Sequence, residues 1–166
     1  MKKFVRFVDA MNDKIGRVAC LLILPMAAVV VYEVFMRRVM NMPTAWGFEM
    51  TVYLYGAHYM FGMAAAYLYD RHVRIDIIVL QLPKKYQLLL RVITFWLIFV
   101  PFIGAFTYAA TLYAAHSWSV WEHSWSAWKP PLYPYKTVMP VTMLFLFLQG
   151  FANFFRDYYA LKGEKI

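Results

Sequence analysis

The sequence predicts an all-α integral membrane protein. It would have four transmembrane helices with both termini inside (N-in/C-in), an amphipathic N-terminal helix and amphipathic connecting segments. Three observations carry this expectation. Hydrophobic residues make up 63% of the chain and charged residues only 16%, against about 25% charged in soluble domains. The apolar residues come in runs near the ~20 residues that a helix needs to cross hydrocarbon. The lysines and arginines sit between those runs, so membrane orientation explains the net charge of +8 better than nucleic-acid binding does. A chain of 166 residues is expected to form one membrane domain, 1–166.

Residues 1–17 place Phe4, Phe7, Val8, Met11 and Ile15 on one helical face, with Lys3, Arg6, Asp13, Lys14 and Arg17 on the other. That pattern reads as a short amphipathic helix lying on the membrane surface or against a partner. Its acidic residues and the lack of a small-residue cleavage site argue against a cleaved leader. The first span, about 18–36, contains Pro25, where a kink is expected. Cys20, the single cysteine, excludes an intramolecular disulfide and is expected as a small buried hydrophobe. Glu33 stands one turn before Arg37, the spacing of an interfacial ion pair. The competing reading, an intramembrane carboxylate with a functional role, is less economical.

The second span, about 46–69, follows Pro43 and Thr44 and carries Gly56, Gly62 and three alanines from Ala64 to Ala66. Small residues of this kind let helices approach closely in lipid. His58 falls near its middle. In the connection that follows, Asp70 with Arg74 and His72 with Asp76 are i, i+4 pairs, and Val73, Ile77 and Leu80 line another face. A metal held by His72 and Asp76 would need further ligands, and none lies at suitable spacing. The third span, 88–115, is longer than a bilayer requires, which predicts tilt, an interfacial start or a kink at Pro101.

The connection 116–137 opens with two copies of a seven-residue unit, HSWSVWE and HSWSAWK, holding four tryptophans. As a helix, Trp118, Trp121, Trp125 and Trp128 would cover one face, and His116 and His123 would project from the other. Those histidines would be about 10 Å apart, too far to share a metal. Tryptophan favours the membrane interface, so a plate lying on the outer leaflet or against a partner is expected rather than a ligand box. Prolines 130, 131 and 134 then predict a stiff return to a fourth span, about 138–158, with Pro140 in its first turn and Gln149 inside.

Basic residues set the orientation. Thirteen lie in the N-terminal segment, the connection between spans two and three and the C-terminal tail; four (Arg37, Arg38, Lys129, Lys136) lie on the opposite side. Cytoplasmic termini and an outward tryptophan repeat follow. No phosphate-binding glycine loop, nucleophile elbow or H-E-x-x-H occurs. Neither a midplane carboxylate cluster nor an inverted repeat is present, so an accessory or anchoring subunit is expected rather than an enzyme or a lone transporter. Two alternatives remain: a b-type cytochrome anchor using His58, His116 or His72, and a small homo-oligomeric exporter built around Glu33.

Several strings resemble the small membrane subunit, DctQ-type, of tripartite ATP-independent periplasmic (TRAP) transporters. Trp46 and Glu49 match a tryptophan followed closely by glutamate between the first two spans. His72-Val73-Arg74-Ile75-Asp76 matches an "HVRVD"-like string, and the run from Ala127 to Pro134 matches "AWxPPLWP". Pro140 and the run ending at Gln149 match "PLG…LLLLQ", although Val141-Thr142 stand where leucine-glycine is usual and Tyr133 replaces a tryptophan.

The resemblance implies a scaffold subunit of a sodium-coupled symporter for organic acids in the bacterial inner membrane. It would pack beside a large elevator-type subunit and help dock a periplasmic binding protein. The chain itself would hold no cofactor, with sodium bound in the large subunit, and nucleic acid would not be a partner. The interface candidates are Trp46, Glu49, His72, Arg74 and Asp76 at helix ends; Trp118, Trp121, Trp125, Trp128, Lys129, Pro130, Pro131 and Lys136 in the outer connection, which also meets membrane lipid; and Pro140 and Gln149 in the last span.

Overall fold

The computed structural model describes residues 1–71 and 79–163, and nearly all of them are helical. Helices α1 (Lys2–Leu21) and α2 (Ile23–Arg38) form a 37-residue rod interrupted only at Leu22. Pro25 causes the break: it has no N–H for the Leu21 carbonyl, and its ring crowds that oxygen. The Leu22 N–H turns back to the Ala19 carbonyl at 3.1 Å. The amphipathic segment and the first apolar run are therefore one element with a joint, not two.

After helix α3 (Gly47–Leu68), the described residues before α4 (Lys84–Thr94) include a 3₁₀ turn, Val79–Gln81. The chain then passes through a π turn, Phe95–Phe99, into α5 (Val100–Ser119). In the π turn the Val100 N–H reaches the Phe95 carbonyl, five residues back. Pro101 denies Leu97 its usual donor, and a widened turn is one of the recognised ways for a helix to absorb that loss. A short α6 (Tyr133–Lys136) leads into α7 (Val138–Leu161).

Among the described residues, three stretches are long and apolar enough to cross a membrane: Lys2–Arg38, Lys84–Ser119 and Tyr133–Leu161. Four were expected. Helix α3 has the length, but its four tyrosines, His58, Thr51 and Glu49 hold down its hydropathy. It lies at the centre of the packing, against α1, α2 and α7, while α5 packs on α7. A helix shielded by its neighbours can carry more polar atoms than one facing lipid.

Among the described residues, two apolar clusters hold the bundle. Val5, Val8 and Ala152 pack with Leu148 and Phe155. Ile103, Met143 and Leu146 pack with Met60, Met63, Tyr67, Phe99 and Phe147. Glycines allow close helix approach: a Cβ at Gly16 would collide with Ala65 of α3, and one at Gly150 would collide with the Phe99 ring.

The face that α1 buries within the bundle is a different one from the apolar face expected to meet membrane or partner. Its inward stripe is Val5, Val8, Asn12, Gly16 and Ala19, while Phe4 and Phe7 stay exposed. In lipid, large apolar side chains gain little by leaving the solvent, so close packing and hydrogen bonds choose the interface. Cys20 is likewise exposed rather than buried.

Candidate functional site: two polar ties on a helix bundle

The first tie joins α1, α3 and α7. Gln149 and Asn12 are fully buried, and the Asn12 Nδ2 donates to Gln149 Oε1 at 2.7 Å. The Gln149 amide donates in turn to Asp9 at 3.1 Å and to Asn153 at 3.3 Å. Arg156 bridges the same two groups, donating to Asn153 at 2.9 Å and pairing with Asp9. Asn153 then reaches the Tyr67 carbonyl of α3 at 3.3 Å. Gln149, an interface candidate from the sequence, spends its amide on partners inside this chain. The other members were missed, although Gln149, Asn153 and Arg156 at i, i+4 and i+7 form a polar stripe in an apolar helix.

The second tie organises the tryptophan repeat, which is not the expected helix. Helix α5 ends at Ser119, and Trp121 adopts a left-handed conformation with φ 47°. Its N–H bonds to the Trp118 carbonyl at 3.3 Å, and the Glu122 N–H reaches Ser117 at 3.1 Å. This is the Schellman pattern that glycine usually completes. A tryptophan there costs about 1–2 kcal/mol, and its ring packs on Trp118 and Tyr133. Beyond it the chain folds back: Ser124 N–H reaches Pro130 at 2.9 Å and Leu132 N–H reaches Glu122 at 2.9 Å, around an antiparallel bridge from His123 to Pro131.

Three anchors pin this hairpin. Glu49 of α3 accepts the hydroxyls of Ser124 at 2.5 Å and Ser126 at 2.8 Å. Lys136 pairs with Glu122 at 2.5 Å and lies 4.0 Å from the centre of the Tyr113 ring. Trp118 donates its indole N–H to Thr137 at 2.8 Å. The Lys136 ammonium beside Glu122 holds that carboxyl below the usual carboxylate range.

The four tryptophans therefore part company. Trp118 and Trp121 pack on Tyr133, with ring centres 4.5 and 5.1 Å away. Trp128 borders a shallow groove with Met50, Tyr53, Lys129, Pro130 and Pro131. Trp125 stands wholly exposed at 100%. Lys129 is exposed with φ 49°, whereas Lys136 is buried. Pro140 lies in the first turn of α7, where Thr142 donates back to the Val138 carbonyl at 2.7 Å.

At the α2–α3 corner, Glu33 receives Arg37 at 2.8 Å, the Thr44 N–H at 3.3 Å and the Thr44 hydroxyl. The expected i, i+4 pair thus forms and gains a second anchor. Trp46 stacks on Tyr32 with ring centres 5.8 Å apart. His58 sits 2.7 Å from the Ala19 carbonyl. His72, Arg74 and Asp76 lie outside the described residues. Among the described residues no three His, Cys, Asp or Glu side chains are grouped to hold a metal.

Fold and ties together define a multi-pass helical membrane protein whose polar side chains join helices to one another and to one loop. A family model described as tripartite ATP-independent periplasmic transporters, DctQ component, matches residues 26–159. The chain belongs to that family: it is the small membrane subunit of a TRAP transporter, and not an enzyme. No curated protein matches the chain. Membership in a transporter family sets aside the cytochrome-anchor reading.

Proposed function

We propose that this chain is the scaffold subunit of a sodium-coupled TRAP transporter for organic acids. It packs against the large elevator-type membrane subunit, which holds sodium and substrate, and it helps dock the periplasmic binding protein. Both termini are cytoplasmic, α3 is the second of four spans, and the tryptophan hairpin faces the periplasm. The distribution of basic residues supports that orientation. At 22 residues and about 33 Å, α3 is long enough to span.

The observation that carries the scaffold role is where the polar side chains go. Asp9, Asn12, Gln149, Asn153 and Arg156 are bonded to one another. Meanwhile Val31 and Phe35 of α2 and Phe102, Phe106 and Tyr108 of α5 stay exposed. A bundle that pairs these side chains with one another and turns apolar side chains outward is suited to hold a neighbour in the membrane rather than to carry a solute.

The test is purification of the tagged chain from native membranes in mild detergent, with mass spectrometry of what accompanies it. A large polytopic membrane protein in roughly equal amount is expected; recovery of the chain alone would sink the reading. For docking, Lys129→Glu is expected to weaken association with the binding protein severalfold while leaving membrane assembly intact. Lys136→Glu is a poor probe of docking, because it would place a second carboxylate against Glu122.

A further inference from the structure

Helix α1 carries mixed charge, and the fold sorts it. Both of its acids have partners: Asp9 pairs with Arg156 of α7, and Asp13 takes Arg17 at 2.8 Å and the Tyr69 hydroxyl. The face turned away from Val5, Val8, Asn12, Gly16 and Ala19 is left with Lys3, Arg6 and Lys14, all exposed. Among the described residues, no ion pair or hydrogen bond engages these three side chains. The helical repeat puts Lys3, Phe7, Lys14, Val18 and Leu21 on one side. One continuous outer strip therefore runs from apolar side chains, Val18 at 58% exposure and Leu21 at 62%, to cations with Phe7 among them at 67%. The strip also crosses a level that the fold marks. Asp13 is tied to Tyr69, the residue that follows α3. Before Asp13, α1 thus continues past the end of a helix long enough to span hydrocarbon, and enters the headgroup layer.

We infer that this outer strip of α1 binds anionic phospholipid, with acyl chains against Val18 and Leu21 and acidic headgroups on Lys14, Arg6 and Lys3. Charge complementarity selects the lipid. Three cations with no unpaired acid on their helix attract a negative surface, whereas a zwitterionic head would bring as much positive charge as negative. Phe7 favours a bilayer over an acidic protein, since a phenylalanine between basic side chains fits the boundary of headgroups and acyl chains. The inference needs only that α1 enters a bilayer at this end, and it holds or fails independently of the scaffold role.

The test is electron spin resonance of the full chain reconstituted in phosphatidylcholine vesicles that contain spin-labelled phosphatidylglycerol or spin-labelled phosphatidylcholine. The fraction of label slowed by the protein reports which lipid it holds. Phosphatidylglycerol is expected to be favoured about threefold, because each basic side chain near the surface adds to the attraction. The preference should fall away in about 1 M sodium chloride, where the screening length is only about 3 Å. Replacing the three cations together, Lys3→Gln, Arg6→Gln and Lys14→Gln, should remove most of it. A comparison variant, Arg38→Gln with Lys84→Gln and Lys85→Gln, loses the same charge from exposed positions elsewhere and should keep most of it. Circular dichroism and detergent melting check that both variants keep their fold. An undiminished preference in the α1 variant, or an equal loss in the two, would overturn the site. No preference in the unaltered chain would overturn the lipid and leave an acidic protein as the occupant.

Discussion

The two ties use similar side chains in opposite settings. The α1–α7 tie is built from Asn12, Gln149, Asp9, Asn153 and Arg156, with its centre wholly buried between helices. The hairpin tie relies on Glu49, Glu122 and Lys136, and it fastens a loop to helix ends. In the first, Asn12 and Gln149 are fully buried, and water cannot replace a partner lost there. In the second, the hydroxyls of Ser124 and Ser126 and the Glu122 carboxyl are near enough to solvent to find substitutes. Burial, more than the number of bonds, decides how much each tie is worth.

Breaking the buried tie should have the largest effect. Gln149→Leu strands the Asn12 amide and leaves Asp9 short of a donor, at a cost of about 2–3 kcal/mol. A lower detergent-melting temperature is the expected readout. Adding Asn12→Leu should recover part of the loss, because two apolar partners leave fewer orphaned groups. Recovery to no extent would mean that Asn12 is not the group Gln149 serves.

Breaking the hairpin tie should be milder and local. Glu49→Ala removes the acceptor of Ser124 and Ser126, at roughly 1–2 kcal/mol. Faster hydrogen exchange is expected in 122–132, with α1 and α7 unchanged. Spread of the faster exchange into α7 would show that the two ties are coupled.

The smallest expected effect is electrostatic. Lys136 depresses the Glu122 pKa in the folded chain, so the pairing contributes fully above the ordinary glutamate value of about 4.3. It is lost as pH falls through the lower folded value. Tryptophan emission from Trp118 and Trp121 should therefore shift below about pH 4. Lys136→Met should move that shift up toward the ordinary value; an unchanged midpoint would rule out Lys136 as its cause.

Much of the architecture is legible in the sequence because it follows from chemistry local to each element. Pro25 and Pro101 each forbid one hydrogen bond, and the rod breaks at Leu22 and widens at Phe95–Phe99 accordingly. Glu33 and Arg37 meet because one turn separates them. What is not legible depends on partners far along the chain. The apolar moment of residues 1–17 points toward Phe4 and Phe7, but α1 turns Asn12 and Gly16 inward because Gln149 and Ala65 await them. The tryptophan spacing is helical, and only Glu49, Lys136 and Tyr133 together force a turn at Trp121, a residue that gives no hint of one. The DctQ-like strings near Trp46 and Pro130 come together in the fold, since Glu49 and the hairpin meet there.

The two seven-residue copies carry one last consequence. In the first, the serines lie on a helix and the glutamate clasps a lysine; in the second, the serines clasp a glutamate and the lysine is exposed. Near-identical words thus have different grammar. A substitution harmless in one copy has no reason to be harmless in the other, so the copies are free to drift apart and neither can stand in for its twin.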